Sequence, residues 1–263
     1  MKRQMGREMS DKNDKPEIRL IKAQKSGWQQ FWIKKMIHYK VRTSFHACLG
    51  QGLENLTNAY DENPGCGVLA VANHSNWWDF MFGLWLNDYL KVDGYGMTEH
   101  ANMLKYGFFR RVGVFSMEKS HPASLRASLD YTAELLQRPR GYVWMMPQGR
   151  ILCNDVRPLD FQEGLRLLVR RAKRLVMIPV ATRYDFWQDE KPEAAVRFGT
   201  HELVEWSGTS AADLVSHWES RVTAELDALK SDMLTQDFSR FTVLQRGPKS
   251  MNERMEGLSK YAD

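Results

Sequence analysis

Long apolar runs are missing from this sequence: Lys, Arg, Asp or Glu interrupts every hydrophobic stretch before it reaches the ~18 residues expected of a membrane-spanning helix. Any membrane contact is therefore expected to be peripheral. Cysteine is scarce and odd in number. Cys48, Cys66 and Cys153 lie too far apart for a Cys-x-x-Cys metal site and do not make a disulfide framework, so a reducing cytoplasm suits them and no metal is expected. There is no Gly-x-Ser-x-Gly, the elbow that carries the nucleophile of α/β serine hydrolases, and no Gly-rich phosphate loop. Residues 1–27 lack the apolar run of a secretory signal, so no export signal is expected.

What is present suits one globular unit. A chain of 263 residues that is 43% hydrophobic can bury a sizeable core, and at this length an α/β domain with an appendage is the better prior. The formal net charge of +5 favours a partner that carries phosphates or an anionic surface. Nucleic acid is not expected as that partner, because no recognition motif is visible and the aromatic residues mostly stand in apolar context.

Residues 1–27 are expected to form a disordered basic tail, having too little apolar surface to offset the entropy of ordering. Over 28–49 the spacing changes. Trp28, Phe31, Trp32, Met36 and Tyr39 recur near helical spacing among Lys34, Lys35, Lys40 and Arg42, which predicts a basic amphipathic helix. Two readings fit it: an interfacial anchor with aromatic rings at headgroup level, or a helix packed on the core with a solvated basic face. Residues 50–240 are expected to form the α/β domain and 241–263 a polar, irregular tail. Within the domain, Val68–Ala72, Tyr142–Met146 and Leu175–Ala181 read as buried strands, with Ala194–Phe198 as a further one. Helical patterns cover Trp77–Leu90, Ser124–Gln137, Gly164–Lys173 and Ala211–Leu234. Strands alternating with helices predict a central, mostly parallel sheet flanked by helices.

The string Asn73-His74-Ser75-Asn76-Trp77-Trp78-Asp79 falls where the first buried strand ends and a helix begins, the place where open α/β sheets carry their sites. An imidazole can take a proton from an attacking hydroxyl, and a carboxylate can fix its tautomer and stabilise the cation that develops. Five residues apart on a regular helix the two side chains would diverge by roughly 140°, so they can meet only across a turn that enters a helix. The same residues also read as a helix start, with Ser75 or Asn76 as cap and Asp79 in the first turn.

With this string in place, the sequence resembles the glycerophospholipid acyltransferases, the lysophosphatidate acyltransferase-like proteins, whose leading signature is Asn-His, four residues, then Asp. Three further blocks follow in the family's order: Gly113-Val114-Phe115, Pro147-Gln148-Gly149-Arg150 and Val176-Met177-Ile178-Pro179-Val180-Ala181. The resemblance covers roughly residues 50–185. It implies His74 as general base, Asp79 as its partner, an acyl thioester as donor and a hydroxyl of a lysophospholipid or related membrane lipid as nucleophile, with no covalent acyl-enzyme and no cofactor. The donor is acyl-coenzyme A or acyl-acyl carrier protein, the latter making that carrier a partner. It also implies that Asn73, Lys119, Pro147, Gln148, Gly149 and Arg150 contact substrate, Lys119 standing one position beyond strict register. In the third block Gln148 replaces the family's usual Glu, and Arg150 follows Gly149 directly, without the intervening Thr. Because this block helps hold the acceptor's phosphate in the family, the departure bears on the acceptor. The expected setting is the cytoplasmic membrane face. A reading of another class is a non-catalytic basic protein that binds membranes peripherally, in which His74 and Asp79 only start a helix.

Overall fold

The computed structural model describes residues 20–207 and 211–259. In chain order they form α1 (Gly27–Ser44), β1 (Ala47–Gln51), α2 (Glu54–Glu62), β2 (Val68–Ala72), α3 (Trp78–Tyr89), β3 (Gly94–Glu99), α4 (His100–Lys105) and β4 (Val114–Met117). There follow α5 (Pro122–Leu136), β5 (Tyr142–Met145), α6 (Gly164–Ala172), β6 (Arg174–Asp185), β7 (Glu193–Phe198), β8 (Glu202–Glu205), α7 (Ala211–Leu234), β9 (Thr242–Arg246) and α8 (Met251–Ser259). The strands make one sheet in the order β4-β3-β5-β2-β6-β7-β1-β9, with β8 also on β6. Pairing is parallel from β4 to β6 and between β1 and β7, and antiparallel where β7 and β8 meet β6 and where β9 meets β1.

The central strands are apolar throughout because helices cover both faces. Successive side chains on β2 sort by the two-residue period. Leu69 and Val71 enter a core beneath α5, α6 and α7, and Val68, Ala70 and Ala72 enter a second core beneath α1, α2 and α3. The same alternation divides Tyr142 and Trp144 from Val143 and Met145 on β5. The fold is therefore a mostly parallel sheet between helical layers, as the alternation of strands and helices predicts. At the carboxyl ends of β2, β3, β4 and β5 the layers part.

Three segment boundaries differ from expectation. The helix over 28–49 stops at Ser44, and Ala47–Gln51 is a strand held between β7 and β9; the buried run Ala47-Cys48-Leu49 is too short to declare its period. Residues 20–26 do not hang free. Ile21 exchanges hydrogen bonds with Ser116 on the edge strand β4, through the Ser116 hydroxyl at 2.8 Å and its N–H at 3.0 Å. Gln24 N–H bonds the Arg110 carbonyl at 2.9 Å, and Lys25 lies over the Tyr95 ring while donating to Asp93 and to the Gly94 carbonyl. An edge strand offers unpaired backbone groups, so a few contacts suffice to order a polar strap; the rest of the expected tail, residues 1–19, lies outside the described residues. At the other end, the expected irregular tail supplies β9 and α8. Ser250 and Glu253 close a reciprocal capping box at the start of α8, with bonds of 2.8 and 3.1 Å.

The amphipathic helix packs on the core along one face and leaves an aromatic face in solvent. Ile37 and Val41 are buried against the core, whereas Trp28 and Trp32 are 71% and 65% exposed, with Phe31 and Tyr39 also in solvent. Among the described residues no helix is long and apolar enough to cross a membrane.

Candidate active site

Strand β2 ends at Ala72, and the chain leaves the sheet through Asn73, a buried side chain that clamps this exit to β6. Its amide donates to the Thr182 carbonyl at 2.9 Å and to Asn154 Oδ1 at 2.8 Å, and its oxygen accepts from Thr182 N–H at 2.8 Å. The turn that follows folds back on the first residues of α3. Asp79 Oδ2 accepts from Ser75 N–H at 2.7 Å and Asn76 N–H at 2.9 Å, while Asn76 Oδ1 caps Trp78 N–H at 3.1 Å. This turn brings His74 Nδ1 to 2.9 Å from Asp79 Oδ2. The helix-start reading and the paired reading of this string therefore hold together, and one carboxylate does both. Its second oxygen accepts from Thr182 Oγ1 at 3.1 Å.

Asp79 is buried with every oxygen engaged, and His74 remains partly open. With Nδ1 committed to the carboxylate, Nε2 is the ring nitrogen left to meet a ligand. Close to Asp79 the buried Tyr184 hydroxyl is held far above the usual phenol range, first by burial and then by the neighbouring carboxylate.

His74 and Asp79 line a cavity of about 920 Å³ at the carboxyl ends of the central strands. Phe80, Gly83, Leu84 and Trp144 give part of its wall an apolar character, and a hydrogen bond of 2.8 Å from Trp144 Nε1 to Asn87 Oδ1 fixes the indole. The cavity contains all of the expected substrate-contacting residues except Asn73, which supports the turn from behind. The turn Pro147–Arg150 and the residues just after it are tied to His74: Gln148 Oε1 accepts His74 N–H at 2.5 Å, and Leu152 N–H donates to the His74 carbonyl at 2.9 Å. Gly149 has φ +61, a left-handed conformation that glycine adopts without steric cost. Lys119 donates to the Gly149 carbonyl. Arg150 pairs with Asp160 at 2.7 Å.

Thr182, Asn154, Tyr184 and Asp160 escape sequence reasoning. Thr182 follows directly on the apolar block that ends at Ala181, and that adjacency is the one available signal; the others lie in stretches without a readable pattern. Five of the other six histidines are engaged elsewhere: His38 pairs with Asp88, His46 with Glu193, His201 with Glu62 and His217 with Glu202, and His121 caps α5. On and beside α6, Arg166, Arg171 and Arg174 meet Glu163, Asp130 and Glu205. That places them in protein ion pairs.

A family model described as Acyltransferase matches residues 51–183. Among solved structures, the 1-acyl-sn-glycerophosphate (LPA) acyltransferase PlsC from Thermotoga maritima is similar with a TM-score of 0.52 and 14% identity, over 78% of this chain and 79% of that one. At this identity the similarity is one of fold. A search of curated proteins returned no match. The matched segment is half of the chain and holds His74, Asp79, Lys119 and the Pro147–Arg150 turn; the chain belongs to the acyltransferase family, as its ordered blocks led one to expect.

Proposed function

We propose that this acyltransferase moves a fatty acyl group from a thioester, acyl-coenzyme A or acyl-acyl carrier protein, to a hydroxyl of a lysophospholipid or related lipid, with His74 as general base. The hydroxyl proton passes to His74 Nε2 as the oxygen attacks the thioester carbon. The C–S bond then breaks, and the departing thiolate takes the proton back from the imidazolium. Asp79 holds the tautomer with Nδ1–H toward itself and stabilises the transient cation. No side chain becomes acylated. The observation that carries this reading is the 2.9 Å contact of His74 with a buried, fully engaged carboxylate at the wall of a partly apolar cavity.

The exposed aromatic face of α1, set among basic side chains, supports peripheral attachment to an anionic membrane, and the three free thiols suit its cytoplasmic side. The experiment is thiol release by the purified chain from acyl-coenzyme A and from acyl-acyl carrier protein, each with a panel of lysolipids, and mass spectrometry of the lipid product. Acceptor-dependent release with an acylated lipid supports the reading. Acyl chains found only as free fatty acid, with every acceptor, contradict it.

A further inference from the structure

A phosphomonoester is a compact dianion, and a site built for it needs an excess of cations or backbone N–H groups facing the ligand. Among the described residues, the side chains lining the cavity around His74 carry no such excess of positive charge. Setting aside Asp79, its walls carry Lys105, Lys119 and Arg150 against Glu99, Asp160 and Glu163. Each of the two cations at the third block has a partner within the protein. Lys119 is bonded to the Gly149 carbonyl, and the Arg150 guanidinium is bonded to the Asp160 carboxylate.

Asp160 is held there by the fold. Its backbone is left-handed, with φ +60, a conformation that costs an L residue energy unless its surroundings impose it. The surroundings do impose it. The flanking Leu159 and Phe161 are buried in the core. The N–H groups of Asp160 and Phe161 both donate to the Glu219 carboxylate on α7, each at 3.1 Å. Gln162 N–H ties the same loop to the Pro147 carbonyl at 3.0 Å, which links the loop to the third-block turn. A carboxylate beside Arg150, in a pair about half open to solvent, offsets part of the charge that a phosphate would seek and disfavours a dianion there. For a headgroup of hydroxyls the same pair is well suited, since the carboxylate accepts from O–H groups and the guanidinium donates to their oxygens.

We infer that the acceptor is a lysolipid with a neutral, hydroxyl-bearing headgroup and no phosphomonoester, and that the Asp160–Arg150 pair selects it. This rests on the proposed acyl transfer at His74. The pair acts on specificity; the acid-base chemistry stays with His74 and Asp79.

Equilibrium titrations with two monoacyl probes test it, a monoacyl glycolipid and lysophosphatidate, both below their aggregation thresholds. The native chain binds the glycolipid at least about tenfold more tightly, the scale of one charge-assisted hydrogen bond lost or made. Asp160→Asn, which keeps a residue tolerant of the left-handed backbone, tightens lysophosphatidate about tenfold and weakens the glycolipid. Arg150→Gln provides a second variant: it weakens the glycolipid several-fold. A native chain that prefers lysophosphatidate overturns the inference. So does an unchanged preference in Asp160→Asn, or an Arg150→Gln variant that loses lysophosphatidate alone. Because these readouts are affinities, they stand apart from the acyl transfer itself, which fails or holds on the dependence of turnover on His74.

Discussion

Replacing Asp79 by Asn separates the two jobs that this side chain performs. Oδ2 takes three donors, from His74, Ser75 and Asn76, and Oδ1 takes one, from Thr182. An Asn fits this cage in one orientation, with its oxygen toward the three donors and its amide toward Thr182 Oγ1. That hydroxyl can turn to accept, since Asn73 Oδ1 lies 3.4 Å away to receive its proton. The turn and the imidazole tautomer therefore survive, and what disappears is the negative charge. A hydrogen bond to a charged group contributes about 1.5–3 kcal/mol, so losing the charged interaction with the imidazolium lowers kcat by roughly 10- to 150-fold, with KM little changed. Asp79→Ala adds a structural loss, because the N–H groups of Ser75 and Asn76 lose their acceptor at about 1–3 kcal/mol each. Steady-state kinetics and thermal unfolding of both variants make the comparison. An Asp79→Asn enzyme that keeps more than half of the native kcat refutes the role given to the charge, and equal melting losses in the two variants refute the role given to the cage.

Two other expectations concern the periphery. Trp28→Ala with Trp32→Ala reduces sedimentation with anionic vesicles about tenfold, as removal of roughly 1.5 kcal/mol or more of buried apolar contact implies, and hardly changes the melting temperature because both rings are exposed; undiminished sedimentation places the anchor elsewhere. Docking of α8 weakens as pH rises. Burial acts to lower the pKa of His46, but its hydrogen bond to Glu193 and the charges of Asp189, Glu193 and Glu253 outweigh burial and leave it above 6.5. A histidine raised on folding contributes stability that is complete below its unfolded pKa and is lost as pH climbs through the folded value. Glu193, pushed up by burial, adds a loss in the same direction at lower pH. Hydrogen exchange in α8 therefore accelerates, relative to its intrinsic rate, as the pH passes above His46's raised value, and His46→Gln flattens that step; a step of the same size in the variant contradicts the assignment.

How much of this was legible in the sequence follows from the physics of each element. Val68–Ala72 and Tyr142–Met145 read correctly because parallel strands buried on both faces appear as unbroken apolar runs. The helices Pro122–Leu136 and Ala211–Leu234 read correctly because they are long enough for their period to emerge. Strands β1, β8 and β9 did not: in β1 the apolar run Ala47-Cys48-Leu49 stops at Gly50 and Gln51 and follows directly on a helical pattern, and β8 and β9 are half exposed. At the site, His74 and Asp79 stand five positions apart, so a single turn entering a helix suffices to bring them together, as the sequence allowed. Thr182 reaches Asp79 across 103 residues and Asn154 reaches Asn73 across 81; such partners are set by strand order, which no local pattern encodes. The strap at 20–26 was hidden for a related reason, since its order comes from the unpaired edge of β4.

His74 is central to the proposed chemistry, and the most direct test is acceptor-dependent thiol release by the native chain and by His74→Ala under identical conditions, with lipid binding measured alongside. A general base contributes about 10²–10⁴-fold to rate, so the variant should lose at least a hundredfold in kcat while binding the acceptor as the native chain does; turnover within a few-fold of native would remove His74 from the chemistry and with it the proposed mechanism.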